Sequence, residues 1–63
     1  MTIGEKIKNA RNLRKLTQKE LGMKLGFDEK SADVRIAQYE SGTRMPKSEL
    51  LSEIAAVLDV NIN

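Results

Sequence analysis

The sequence predicts an all-α fold of four short helices in one domain. Three observations lead there. No stretch alternates apolar and polar residues with a period of two, so nothing reads as a strand. Four segments repeat apolar residues at helical spacing, between residues that cap or break helices. The chain has 63 residues, which supports a single small core.

The first element is read from "IGEKIKNARNLRKL", residues 3–16. Ile3, Ile7, Ala10, Arg11 and Arg14 fall on or near one face of a helix, and Leu13 and Leu16 extend the apolar surface into its exit. The second is "TQKELGMKLG", residues 17–26. Thr17 and Glu20 have the T-x-x-E spacing of a capping box, so the helix starts at Gln18. Leu21 and Leu25 face inward. Gly22 lies inside the helix, where glycine costs about 1 kcal/mol relative to alanine. A glycine there signals a neighbouring helix that passes too close for a side chain. Gly26 suits the left-handed position that ends the helix, with Phe27 tucked back beneath it.

"DEKS", Asp28–Ser31, is polar and without period. Ser31 is a suitable N-cap for a third helix over residues 32–41, and Asp33 suits its first turn. Gly42 ends that helix, and "TRMPK" is a loop in which Pro46 is tolerated in a first helical turn. The fourth helix is "KSELLSEIAAVLD", residues 47–59, with Leu50, Leu51, Ile54, Val57 and Leu58 as its buried stripe.

Composition narrows the function classes. With no Cys and no His, the usual zinc, haem and iron–sulfur ligands and the commonest general acid–base residue are missing. The acids and lysines fit solvated helix faces, and no pair is marked out as catalytic. The expectation is therefore no enzyme, no metal and no cofactor. No apolar run approaches a membrane span, so a cytoplasmic protein without membrane contact is expected. Charge is unevenly placed. Residues 1–19 carry +5, residues 20–40 carry −2 and residues 41–63 carry −1. A basic end suits a polyanion as well as it suits a solvated helix.

Two short helices joined around Gly26 suggest a helix-turn-helix over residues 18–41. In that motif the first helix crosses the DNA backbone and the second lies in the major groove. "LTQKEL" at Leu16–Leu21, "IAQYESG" at Ile36–Gly42, and Pro46 followed by a Leu-rich helix ending in "LDV" stand in order and at the right spacing. With them the sequence resembles the Cro and phage-repressor type of helix-turn-helix domain, also called the xenobiotic-response-element type. The resemblance runs from about Ile3 to Val60 and implies a lambda-repressor-like fold, for which the family pattern also allows a fifth helix.

The sequence departs from the family in three ways. Gly26 to Tyr39 spans fourteen residues counting both, four more than is usual. Counted without a gap, Arg35 would be buried unpaired, which is unreasonable. Counted with four extra residues, Ile36 and Tyr39 take the buried positions. "DEKS", or four residues overlapping it, therefore reads as an insertion that lengthens the turn. Asp59 stands where the family commonly has Gly, and the chain stops at Asn63, where the family commonly continues, so the resemblance carries over no dimer geometry.

With Ile36 turned to the core, Ala32, Tyr39 and Glu40 lie beside it, at about 100° per residue. Val34, Ala37, Gln38 and Ser41 point away, with Arg35 on the flank. These five are the candidate base-reading residues, since Gln suits adenine, Arg suits guanine and small apolar groups suit a thymine methyl. Arg35 is also suited to a phosphate. The resemblance implies that Gln18 helps hold the DNA backbone, where free N–H groups favour a phosphate. Thr43, Arg44 and Lys47 are placed for a second phosphate, with Lys19, Lys30 and Ser31 as weaker candidates. Arg11 and Glu40 fit the family's structural ion pair.

The expected function is that of a sequence-specific double-stranded DNA-binding regulator, most simply a repressor, acting as a homodimer on a two-fold symmetric operator. The alternative is an antitoxin or other protein-interaction module of the same fold, meeting a toxin or further domain through Met1, Ile3 and Ile62.

Overall fold

The computed structural model describes residues 1–61. It contains α1 (Ile3–Leu13), α2 (Gln18–Lys24), α3 (Ala32–Ser41) and α4 (Ser48–Leu58). Among the described residues there is neither a strand nor a fifth helix. The predicted all-α, four-helix class is the one observed. α3 packs chiefly on α2 and then on α1, while α4 leans on α1.

Local chemistry explains where the helices begin. Thr17 starts α2 with a reciprocal capping box: the Glu20 N–H donates to Thr17 Oγ1 at 3.0 Å, and the Thr17 N–H donates to Glu20 Oε1 at 2.8 Å. "TIGE" repeats the device at α1, where Thr2 and Glu5 exchange the same two bonds at 3.1 and 2.9 Å. Each carboxyl is held below its ordinary pKa, first by the threonine backbone N–H and then by its hydroxyl.

All four helices end at left-handed residues, α3 at Gly42 with φ of 86°. After α2 the Phe27 N–H donates to the Gly22 carbonyl and the Gly26 N–H to the Met23 carbonyl, both at 3.0 Å, a Schellman motif. α1 ends the same way around Lys15 and α4 around Asp59, with φ of 59° and 54°. Arg14 ties these two ends together, its Nε donating to the Leu58 carbonyl at 2.7 Å and its Nη2 to the Asp59 carbonyl at 3.0 Å. A side chain in the left-handed region is strained by about 1–2 kcal/mol, less for Asp than for most residues. The Asp59 carboxylate lies 4.0 Å from Arg14 and its side chain is 97% exposed, so that pair contributes little. Asp59→Gly is therefore expected to stabilise the domain by about 0.5–1 kcal/mol after the extra flexibility of the unfolded chain is counted. A lower urea midpoint for the variant would contradict this.

The core is aliphatic apart from Tyr39: Ile7 from α1, Leu21 from α2, Ala32, Ile36 and Tyr39 from α3, and Ile54 and Leu58 from α4. Leu50, Leu51 and Val57 are half-buried against it. Leu13 departs from its expected place and is 68% exposed. Six residues beyond Ile7, it lies about 120° from the buried stripe, and α1 ends there. Pro46 is buried in the loop, two positions ahead of α4 rather than in its first turn.

The lengthened turn also differs from expectation. Ser31 occupies the N-cap position of α3, but its side chain caps nothing. Asp28 organises the segment instead. Its carbonyl accepts from the Ser31 N–H at 3.0 Å, and its Oδ1 accepts from the Lys30 N–H at 3.0 Å. "DEKS" thus closes as a tight turn on its own aspartate, and α3 starts directly after it.

Candidate nucleic-acid interface

α3 is fixed to the body along one side and open along the other. Ala32 and Ile36 are fully buried, and Tyr39 and Glu40 nearly so. At its N-terminal end Gly22 of α2 lies against Ala32, and at its C-terminal end Gly4 of α1 lies against the carbonyls of Tyr39 and Glu40. Between them stands an ion pair. Arg11 Nε donates to Glu40 Oε2 at 2.6 Å and Nη2 to Oε1 at 3.2 Å, while Nη1 donates to the Leu16 carbonyl at 2.7 Å. Gln18 Nε2 adds a fourth bond, to Glu40 Oε1 at 3.1 Å. α1, α2 and α3 therefore meet at one buried carboxylate, and the α1–α2 turn joins them through Arg11. No buried side-chain polar atom among the described residues is left without a partner.

On the open side Val34, Ala37, Gln38 and Ser41 form a continuous stripe of about 10 Å, at 1.5 Å per residue. Val34 is 54% exposed. The Gln38 amide makes no hydrogen bond among the described residues, so its donor and acceptor are both unspent. Ser41 is less available than the sequence suggests. Its hydroxyl donates to the Gln38 carbonyl at 3.2 Å and lies 2.9 Å from that of Thr43.

Beyond α3 the chain turns through Gly42 and brings cations back beside the helix. Arg35, Arg44 and Lys47 line one groove of about 530 Å³ with Tyr39, Met45 and Leu50. None of these three cations forms an ion pair among the described residues. The groove walls were not anticipated. Met45 is 74% exposed in a loop, and no periodicity marks it.

The weaker phosphate candidates stand apart, around the lengthened turn. Lys19 is paired with Glu29 at 3.3 Å, and Lys30 is exposed. Ser31 is half-buried, with its hydroxyl 3.5 Å from the Asp28 carbonyl. Asp28, Glu29 and Asp33 crowd this end, which leaves it poorly suited to a polyanion. The open face of α3 thus grades from acidic at its N-terminus to cationic along its flank and C-terminal loop.

Among the described residues no cluster of acids suits a metal ion, and no helix is long and apolar enough to cross a membrane. Of the residues suggested for a protein partner, Met1 is 81% exposed and Ile3 is half-buried against the core. Ile62 lies outside the described residues.

Comparison with known proteins gives one match. The sequence model of a family described as helix-turn-helix covers residues 7–63. No curated protein and no solved structure matches the chain.

Proposed function

The chain belongs to the helix-turn-helix family of the Cro and phage-repressor type, a family of DNA-binding regulators, and we propose that it represses by seating α3 in the major groove of a specific operator. One observation carries the reading: the unspent Gln38 amide sits in the middle of an open stripe on a helix whose other side is locked to the core. With Val34 and Ser41 exposed and Ala37 and Gln38 half-buried between them, the helix offers a bidentate amide flanked by small and apolar groups. That combination suits an adenine beside a thymine methyl. Gln18, Thr43, Arg44 and Lys47 flank the helix and would hold phosphates, which set affinity and register but not sequence. The Gln18 side chain is tied to Glu40 and the Glu20 N–H to Thr17, so its share falls to the Gln18 and Lys19 N–H groups that open α2. Lys19, Lys30 and Ser31 have the smaller part, because carboxylates surround them. Two copies on a two-fold symmetric site would set their reading helices about 34 Å apart.

Binding-site selection from random duplex DNA tests this directly. The parent is expected to enrich one sequence. Gln38→Ala should relax preference at one base position at a cost of about 1–3 kcal/mol. Arg44→Ala should weaken all sequences alike and lower the salt slope by about 1. No enrichment by the parent defeats the proposal.

A further inference from the structure

Arg35 is the one candidate reader that does not belong to the open stripe. Its guanidinium carbon lies 3.8 Å from the centre of the Phe27 ring. A guanidinium this close to an aromatic centroid is held by a cation–π contact. Stacking uses the face of the group and leaves its in-plane N–H donors free. Among the described residues those donors have no hydrogen-bond or carboxylate partner, although Arg35 itself is half-buried. The same side chain lines the groove that holds Arg44 and Lys47. Phe27 is itself fixed, by the bond from its N–H to the Gly22 carbonyl and by packing against the core.

We infer that Phe27 is a positioning residue for DNA binding: it pins Arg35 so that the guanidinium edge, together with Arg44 and Lys47, holds a backbone phosphate and does not read a base. The inference rests on α3 being the DNA-reading helix. It reassigns Arg35 from the bases to the backbone, and it assigns a role to Phe27, which has none in base reading. The physical logic is preorganisation. A free Arg side chain loses rotamer freedom when it closes on a phosphate, and one already stacked on a ring has lost much of it beforehand.

The test is a double-mutant cycle on the duplex that the parent selects, with urea melts of every variant alongside. Arg35→Ala is expected to lower the salt slope by about 1 with no change in base preference. Phe27→Leu keeps an apolar side chain but removes the ring, and should weaken binding by about two- to fivefold, the usual range for an exposed cation–π contact. Phe27→Trp, which keeps an aromatic face, should restore the affinity. In the Arg35→Ala background Phe27→Leu should have no further effect on binding. A loss from Phe27→Leu that is the same with and without Arg35 shows packing alone and overturns the inference. So does a change of base preference in Arg35→Ala. Either result leaves the reading by α3 intact, whereas a parent that enriches no sequence defeats both.

Discussion

Glu40→Ala is expected to lower folding stability by about 3–5 kcal/mol, the usual result of removing one partner of a buried ion pair. The Glu40 side chain is 4% exposed and that of Arg11 10%. Three donors converge on the carboxylate, two from Arg11 and one from Gln18. Alanine removes the acceptor of all three. The half-buried Gln18 can turn its amide to water. Arg11 cannot, and keeps only the Leu16 carbonyl as partner. At about 0.05–0.15 kcal/mol per residue, a domain of this length has roughly 3–9 kcal/mol in total. The variant therefore sits near the edge of unfolding, and a urea melt followed by circular dichroism should show a lost or greatly shortened native baseline. A loss well under 1 kcal/mol would mean that the pair is idle.

The paired replacement separates loss of the interaction from stranding of a charge. Arg11→Met with Glu40→Met removes both ions and puts apolar volume in their place. Most of the stability is expected to return, because isolated burial of the guanidinium is the dominant penalty and not the absence of the bond. On that outcome the pair would serve arrangement more than strength. It joins α1 and α2 at a single point on α3, one residue from the end of the open stripe.

The fold was legible where local chemistry decides it. Thr17 and Glu20 mark the start of α2 because a capping box needs only four consecutive residues. The same four-residue pattern at Thr2 and Glu5 is equally local. The buried side of α3 follows from the cost of burying an unpaired charge, since only a count with four added residues keeps Arg35 out of the core. What failed depended on residues far apart or on irregular backbone. Ser31 and Asp28 are both competent to organise the turn, and composition does not say which one will. The stack of Arg35 on Phe27 crosses that irregular turn, so no period connects the two. Leu13 is apolar by type, but its angle on α1 carries it away from the core. Gly22 announced a close approach, because a glycine inside a capped helix needs a reason. Gly4 makes an equally close approach but sits in a first turn, where glycine attracts no notice.

Gly22→Ala should destabilise the domain although alanine is the better helix former. Propensity alone predicts a gain of about 1 kcal/mol. A Cβ built at Gly22 lies 2.6 Å from the Ala32 Cβ, 2.8 Å from its carbonyl oxygen and 2.9 Å from its Cα. None of these atoms ends a flexible side chain, so α2 and α3 must move apart as bodies. Overpacking of this kind costs about 1–3 kcal/mol, occasionally more, and we expect a net loss within that range in urea melts. Ala32→Gly in the same chain removes the closest contact and leaves the two backbone contacts, so rescue should be partial. Gly4→Ala provides the comparison without rescue, since the new Cβ would meet the Glu40 carbonyl oxygen, with that of Tyr39 at 2.6 Å, and no side chain there can be trimmed. Both glycines press on α3, one at each end. Their substitution should therefore reduce binding to the selected duplex even at temperatures where the variant remains folded, because the open stripe would no longer keep its angle to the groove cations. A Gly22→Ala variant more stable than the parent would show that α2 and α3 have room between them.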